Sequence, residues 1–528
     1  MHPVRLYANT ALTKSKQKRK HIRKESPIMK HSVRIACALL ALLTVSPAIV
    51  SCGTSGDSGS VTDNAVNAST ETAAVTEDPN AIKDNLPALD FGGDTVKIMH
   101  FGLEDMGGND SSDWNREGDV VADAVITRDR ATEERLNVTI AYEAGSDDWN
   151  TYPSEVQKMV QAGDCPYDIF FLESSQCFRL SLDGYFREVS DLAHIDINQP
   201  WWYKNFMDGG AISTDKRYFL TGAFSVSTLE GASCTIFNKK IYNNFFESYT
   251  ELYDMVDAHK WTYDKFIELC RDVYQDVNGN GEADEDDLYG LFNRGQQTVN
   301  YVSMSTGLTY LQRDDNGLPV LDLYNDDSIR WVEKLYTILN ENNISYTNTK
   351  LDGMQHFADS NALFFLGWLS EYTNEVIRGM EDPYGVLPMP VLDEGMEYKS
   401  AAGTVNGQSA VIPVTTDDAR LELCGATLES LSIEAYRTVI PAWYEVALKS
   451  KHADTERDAD MIDVIYNTID TSFIMIADKL LGTGSFFWSM LGSSKKTPGE
   501  FASYYEKQAK SFDKKWASML EAFAELES

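Results

Sequence analysis

Residues Tyr167 to Val189 read YDIFFLESSQCFRLSLDGYFREV. Tyr167 to Ser174, with the apolar run Ile169 to Leu172 at its centre, is β-rich and short, which predicts a strand buried on both faces. At its C-terminal end stand Glu173, Ser175 and Gln176, where open α/β sheets place their ligands. Upstream, a helix is expected over Pro153 to Gln161, preceded by a strand in NVTIAY. Before that strand, Val121, Val125, Arg128, Ala131 and Leu136 fall near helical spacing, and DTVKIMHFG (Asp94 to Gly102) reads as an opening strand. Helix alternating with apolar strand means an α/β sheet covered on both faces.

Downstream the alternation continues. TIFNKKIY (Thr235 to Tyr242) reads as a strand running into a helix. Thr262 is placed as the N-cap of a helix that turns Phe266, Leu269, Cys270 and Val273 inward. Ile329, Val332, Leu335, Tyr336 and Leu339 mark another helix. VLPMP (386–390) and GQSAVIP (407–413) read as strands, and long amphipathic helices close the chain.

The N-terminus is of another kind. From Met29 the chain runs MKHSVR and then IACALLALLTVSPAIVS, a cationic region leading an apolar one that ends in small residues before Cys52. That is a signal peptide over 1–51, with 29–51 its working part and Met29 the expected initiator. Residues 49–52, IVSC, resemble the lipobox of bacterial lipoproteins, which makes Cys52 the lipidated first residue of the mature chain. Residues 52–87 are Gly, Ser, Thr, Asp and Ala with little to bury, the composition of a flexible tether. GDSGS (56–60) falls inside that tether and resembles a serine-protease loop. It lacks the folded scaffold that a nucleophile, base and orienting acid require.

The 528 residues carry 81 Asp+Glu against 46 Lys+Arg, a net charge of −35, and ten of the basic residues lie within 1–51. Such a surface repels nucleic acid and anionic lipid. Seven cysteines stand at 37, 52, 165, 177, 234, 270 and 424, with no CxxC pair, so neither a disulfide framework nor a zinc site is expected.

Taken in order, ITRDRATEERLNVTI, the 167–189 stretch, TIFNKK, LFFLGW, YGVLPMPVLDEG, GATLESLSIEAYRTVIPAWYE and DMIDVIY resemble family 1 extracellular solute-binding proteins. These are the maltose-binding-protein-like receptor subunits of sugar-importing ABC transporters. The resemblance implies a periplasmic-binding-protein type II fold, two α/β lobes joined by a hinge. It places 88–232 plus 400–433 in lobe 1 and 233–399 plus 434–528 in lobe 2. It implies a carbohydrate ligand, ABC permease subunits as partners, a monomer, and a place on the outer face of the cytoplasmic membrane.

A sugar offers hydroxyls and flat C–H faces, so its site wants aromatic plates beside acids and amides. By resemblance Trp368 matches a ligand-stacking position, and Trp443 with Tyr444 lies near a second. Trp201 and Trp202 follow a loop, where two indoles are harder to bury than one. Glu173, Ser175, Gln176 and Glu230 are the polar candidates, with packing the alternative for every tryptophan, Trp488 included.

A second candidate is DVNGNGEADEDD (276–287). Oxygen donors fall at Asp276, Asn278, Asn280, Glu282, Asp284 and Asp287 in the order of an EF-hand loop, with Gly281 at the turn. Aspartate replaces the bidentate glutamate at the twelfth place. A structural Ca2+ and a metal-free acidic Asx-turn loop both remain open, and no cofactor is otherwise required. A dockerin would need a second such loop. The rival function is a secreted carbohydrate-active enzyme with two carboxylates across a scissile bond, but HExxH, P-loop and GxSxG signatures are missing from the sequence.

Overall fold

The computed structural model describes residues 83–526 except 85, 103–109, 112–118, 214–215, 309, 315–317, 348–351, 403–406 and 451–454. The expected signal peptide, Cys52 and most of the tether lie outside the described residues.

Two sheets organise the chain. In the first, Asp94–His100 pairs in parallel with Val138–Ala144 and with Ile169–Glu173, and Gln408–Val411 closes the edge antiparallel to Ile169–Glu173. In the second, the order is Tyr384–Leu387, Ser233–Asn238, Ala362–Trp368, Tyr289–Phe292 and Ser345–Tyr346. The last three of these run parallel to one another. The strand Ile169–Glu173 is buried at every residue, as its unbroken apolar run requires.

Local chemistry sets the helix ends. Asp119 accepts from the backbone N–H of Val121 at 2.9 Å and so opens the helix Val120–Leu136. Asn137 closes it in the left-handed region with φ 50°. Thr262 accepts from Lys265 N at 3.3 Å and opens Tyr263–Val273, whose Phe266, Leu269, Cys270 and Val273 are all buried. In Asp326–Asn340 the buried face is centred on Trp331, Val332, Leu335 and Ile338, leaving Tyr336 half-buried. Trp331 turns that face inward by packing on Tyr263, with ring centroids 4.7 Å apart.

The chain passes from the first sheet to the second between the helix Val226–Glu230 and Ser233, and is back in the first sheet at Gln408 after the short strand Ser400–Ala401. The two crossings touch, Ala232 bridging Ala402 antiparallel. The long helix Asp418–Pro441 then packs on Val120–Leu136. Pro441 has no N–H for the α ladder, and beyond it the backbone widens into a π-helix through Ser450. Among the described residues no helix is long and apolar enough to cross a membrane.

Candidate functional site

Glu173 and Trp368, each the last residue of a parallel strand, pair with Gln408 and Ser233, the first strand residues after the two crossings. On the first sheet Gln408 stands opposite Glu173 in register, and Gly407 backs on Thr228, where an added Cβ would lie 2.9 Å from its hydroxyl. Thr228 and Ser233 are five residues apart, so the chain joins the two edges across at most about 18 Å.

On the first edge, Phe101, Trp149, Tyr152, Pro153, Leu172, Glu173 and Gln408 line a small pocket. The rings of Phe101 and Trp149 lie 4.3 Å apart at 34°. Glu173 is buried, and its Oε1 accepts from Ser175 Oγ at 2.5 Å. Burial pushes its carboxyl up, while Lys479, with Nζ at 3.9 Å, pulls it the other way. Gln176 is buried and accepts from Arg179 Nε at 2.9 Å. An acid, an amide and an aromatic plate are thus gathered at one strand end, with Ser175 holding the acid in place.

On the second edge, Trp368 ends the strand Ala362–Trp368 opposite Ser233. It is half-buried, and its indole Nε1 is shut from solvent without a hydrogen-bond partner. Tyr301 meets it edge-on at 5.2 Å. The guanidinium of Arg294 lies 5.6 Å from the Tyr301 ring centre and donates to both oxygens of Glu371, at 2.6 and 3.0 Å. Burial works against that cation, but the Glu371 carboxylate outweighs it and holds the Arg294 pKa above its ordinary value. Glu371 also accepts the backbone N–H of Trp368 at 3.0 Å, so the ion pair fixes the strand end that carries the indole. Trp488 is half-buried and fits against Gly295, whose φ of +66° and lack of Cβ leave room for the ring.

The remaining aromatic candidates sit together elsewhere. Trp201 and Trp202 are 1% and 4% exposed, and their indoles donate to the two oxygens of Glu429, at 3.0 and 2.8 Å. Trp443 and Tyr444 are buried in the same core, both rings tilted against Tyr466, and the Tyr444 hydroxyl donates to Asp463. Glu230, half-buried, ends the helix before the crossing. Phe101, Trp149, Tyr301, Arg294, Glu371, Gln408 and Lys479 escaped the sequence reading. Only Trp149, in the loop after a predicted strand, carried a usable signal there.

In the loop 276–287, Asp276 accepts from Gly279 N at 2.7 Å and Gly281 N at 2.8 Å. Asp284 accepts from the amides of Asn278 and Asn280, and Glu282 is exposed. Asp287 is fully buried and accepts from Val277 N, Asp284 N and Tyr274 Oη. The carboxylates of Asp276, Asp284 and Asp287 are therefore engaged within the loop. Among the described residues no three acidic, histidine or cysteine side chains are gathered as a metal cage.

Several solved structures of solute-binding proteins share this architecture. An ABC substrate-binding protein from Listeria monocytogenes in complex with cycloalternan superposes with a TM-score of 0.51 at 11% identity, over 80% of this chain and 98% of its own. An ABC transporter solute-binding protein from Thermotoga lettingae bound to α-D-tagatose gives 0.51 at 14%, over 80% and 100%. A family 1 extracellular solute-binding protein from Bifidobacterium longum subsp. infantis gives 0.50 at 14%, over 81% and 100%. At these identities the likeness shows the fold, the two-lobed α/β architecture of type II binding proteins. No curated protein matches in sequence. The profile of the bacterial extracellular solute-binding protein family matches residues 128–426, more than half of the chain and the whole stretch from Arg128 through both crossings. The chain belongs to the bacterial extracellular solute-binding protein family.

Proposed function

We propose that this chain is the receptor subunit of an ABC importer, capturing a carbohydrate between the two sheet edges and delivering it to permease subunits. One observation carries the reading: a buried acid, Glu173, and an indole, Trp368, end strands of opposite sheets on either side of the same crossing segments. Acid and indole are the two surfaces a sugar needs. The cycloalternan and tagatose complexes of structural relatives support the ligand class. Capture makes and breaks no bond: ligand bridges the lobes and shifts them toward a closed arrangement that the permease recognises.

The test is thermal unfolding against a panel of mono- and oligosaccharides, since a ligand of the folded state raises Tm by mass action. A Tm rise that Glu173→Gln and Trp368→Ala both remove supports the reading. Release of shortened products from a labelled oligosaccharide would favour the enzyme instead.

The same reading places lobe 1 at 88–232 plus 400–433 and lobe 2 at 233–399 plus 434–528, and makes the protein a monomer. It anchors the chain outside the cytoplasmic membrane by acyl chains on Cys52, supported by the cationic and apolar leader in front of it. Cys52→Ser would then release the protein into the medium. The order of oxygen donors over 276–287 supports a structural Ca2+, which Asp276, Asn278, Asn280, Glu282, Asp284 and Asp287 would hold by exchanging hydrogen bonds within the loop for the ion.

A further inference from the structure

The last helix, Phe501–Leu526, spans about 39 Å at 1.5 Å per residue and packs on both cores. Near its start, Phe501 lies edge-on to Tyr324 at 5.0 Å and Tyr505 stacks on the same ring at 5.3 Å. Phe512 meets Phe486 at 5.6 Å, within the core of the second sheet. Near its end, Met519 and Phe523 are buried in another core. They share it with Phe170 of the first sheet and Phe178 of the helix Ser174–Leu182, which begins at the Glu173 edge. One rigid element therefore has its two ends in two bodies.

A second tie lies beside it. The strands Leu311–Arg313 and Pro319–Leu321 pair antiparallel, and they are rooted in the second core through Tyr310 and Leu323. From there Arg313 donates through Nη1 to the carbonyl of Ile212 and through Nη2 to that of Ala211, each at 2.9 Å. Ile212 is buried in the core that holds Phe523. Trp516 joins the two ties, its indole N–H donating to the carbonyl of Pro319 at 3.2 Å.

We propose that the helix Phe501–Leu526 and Arg313 form a brace that sets the resting orientation of the two sheet-bearing halves in the ligand-free chain, so that any turn of one half against the other, the ligand-driven closure included, must release one end of the brace. A helix cannot stretch along its hydrogen-bonded axis. Two bodies sharing it can turn against each other only by releasing one set of contacts, and the carbonyls of Ala211 and Ile212 must release Arg313 in the same movement. The brace goes beyond solute capture and belongs to the ligand-free chain.

Its test uses no ligand, so its outcome is independent of what the crevice binds. Hydrogen exchange over Ser174–Leu182 and the small-angle scattering radius of gyration are measured on the ligand-free full chain and two variants. One variant is Phe523→Asp; the other, Arg313→Ala with Trp516→Phe, removes the polar ties while keeping an aromatic ring where Trp516 packs on Phe473, and decides the matter if the first does not fold. The brace predicts a single compact radius for the parent. It also predicts exchange at least about tenfold faster and a larger radius in the folded variants. A parent already divided between compact and extended forms, or folded variants indistinguishable from it, would overturn the proposal.

Discussion

The indole nitrogen of Trp202 lies 2.8 Å from Glu429 Oε2, while Trp201 donates to the other oxygen of the same carboxylate at 3.0 Å. One acid from the helix Asp418–Pro441 thus satisfies two buried N–H groups from a loop more than 220 residues earlier in the chain.

Burial pushes the Glu429 carboxyl up to about 7, with the two indoles pulling it down. The folded chain therefore keeps a proton that the unfolded chain, with an ordinary glutamate near 4.3, has already released. This contribution to stability is full below about pH 4.3 and is lost as pH rises through 7, by about 4 kcal/mol in all. Gln carries no such proton, so the destabilisation caused by Glu429→Gln is expected to shrink between pH 5 and pH 8. Urea unfolding of both proteins at the two pH values reads it.

Arg294 and Glu371 form a nearly buried ion pair beneath Trp368. Glu371→Gln leaves the guanidinium without its counter-charge and is expected to cost about 3–5 kcal/mol. The same change weakens the anchor of the Trp368 backbone, so its tryptophan emission shifts before global unfolding. Denaturation followed by fluorescence and by circular dichroism separates the two effects.

Trp368 is half-buried and touches Tyr301 edge-on. For any sugar that raises Tm, Trp368→Ala is expected to lower affinity by about 10- to 100-fold, the equivalent of about 1.4–2.7 kcal/mol. Calorimetric titration measures it. Trp201→Phe, buried on Glu429 and outside the pocket beside Glu173, should leave affinity unchanged while lowering stability through the lost hydrogen bond to Glu429.

Chelation tests the acidic loop. If Ca2+ is held there, EGTA lowers Tm, and Ca2+ at a hundred times its Kd restores about 2.7 kcal/mol. Asp276→Ala abolishes the difference. Equal melting curves with EGTA and with Ca2+ would leave the loop held by its own hydrogen bonds.

Local patterns in the sequence were enough for the elements that carry the edges. The apolar run before Glu173 is a strand buried throughout, Thr262 caps its helix, and Asn238 ends a strand that passes directly into Lys239–Phe245. Trp201 and Trp202 were less legible. A pair of indoles after a loop reads the same whether it faces a ligand or a buried acid, because Glu429 lies too far along the chain to enter any local pattern. Arg294 likewise gave no signal, since only folding brings Glu371 to it.

By itself, the sequence determined the alternation of strand and helix, the acidic surface and the family. Those properties live in periodicity, composition and the order of short segments, all of which survive without a fold. Tertiary structure alone decided which acid meets which indole, that Tyr301 and Arg294 back Trp368, and that one C-terminal helix reaches both cores. Contacts between residues hundreds of positions apart depend on how the sheets and helices pack, and spacing along the chain carries no trace of them.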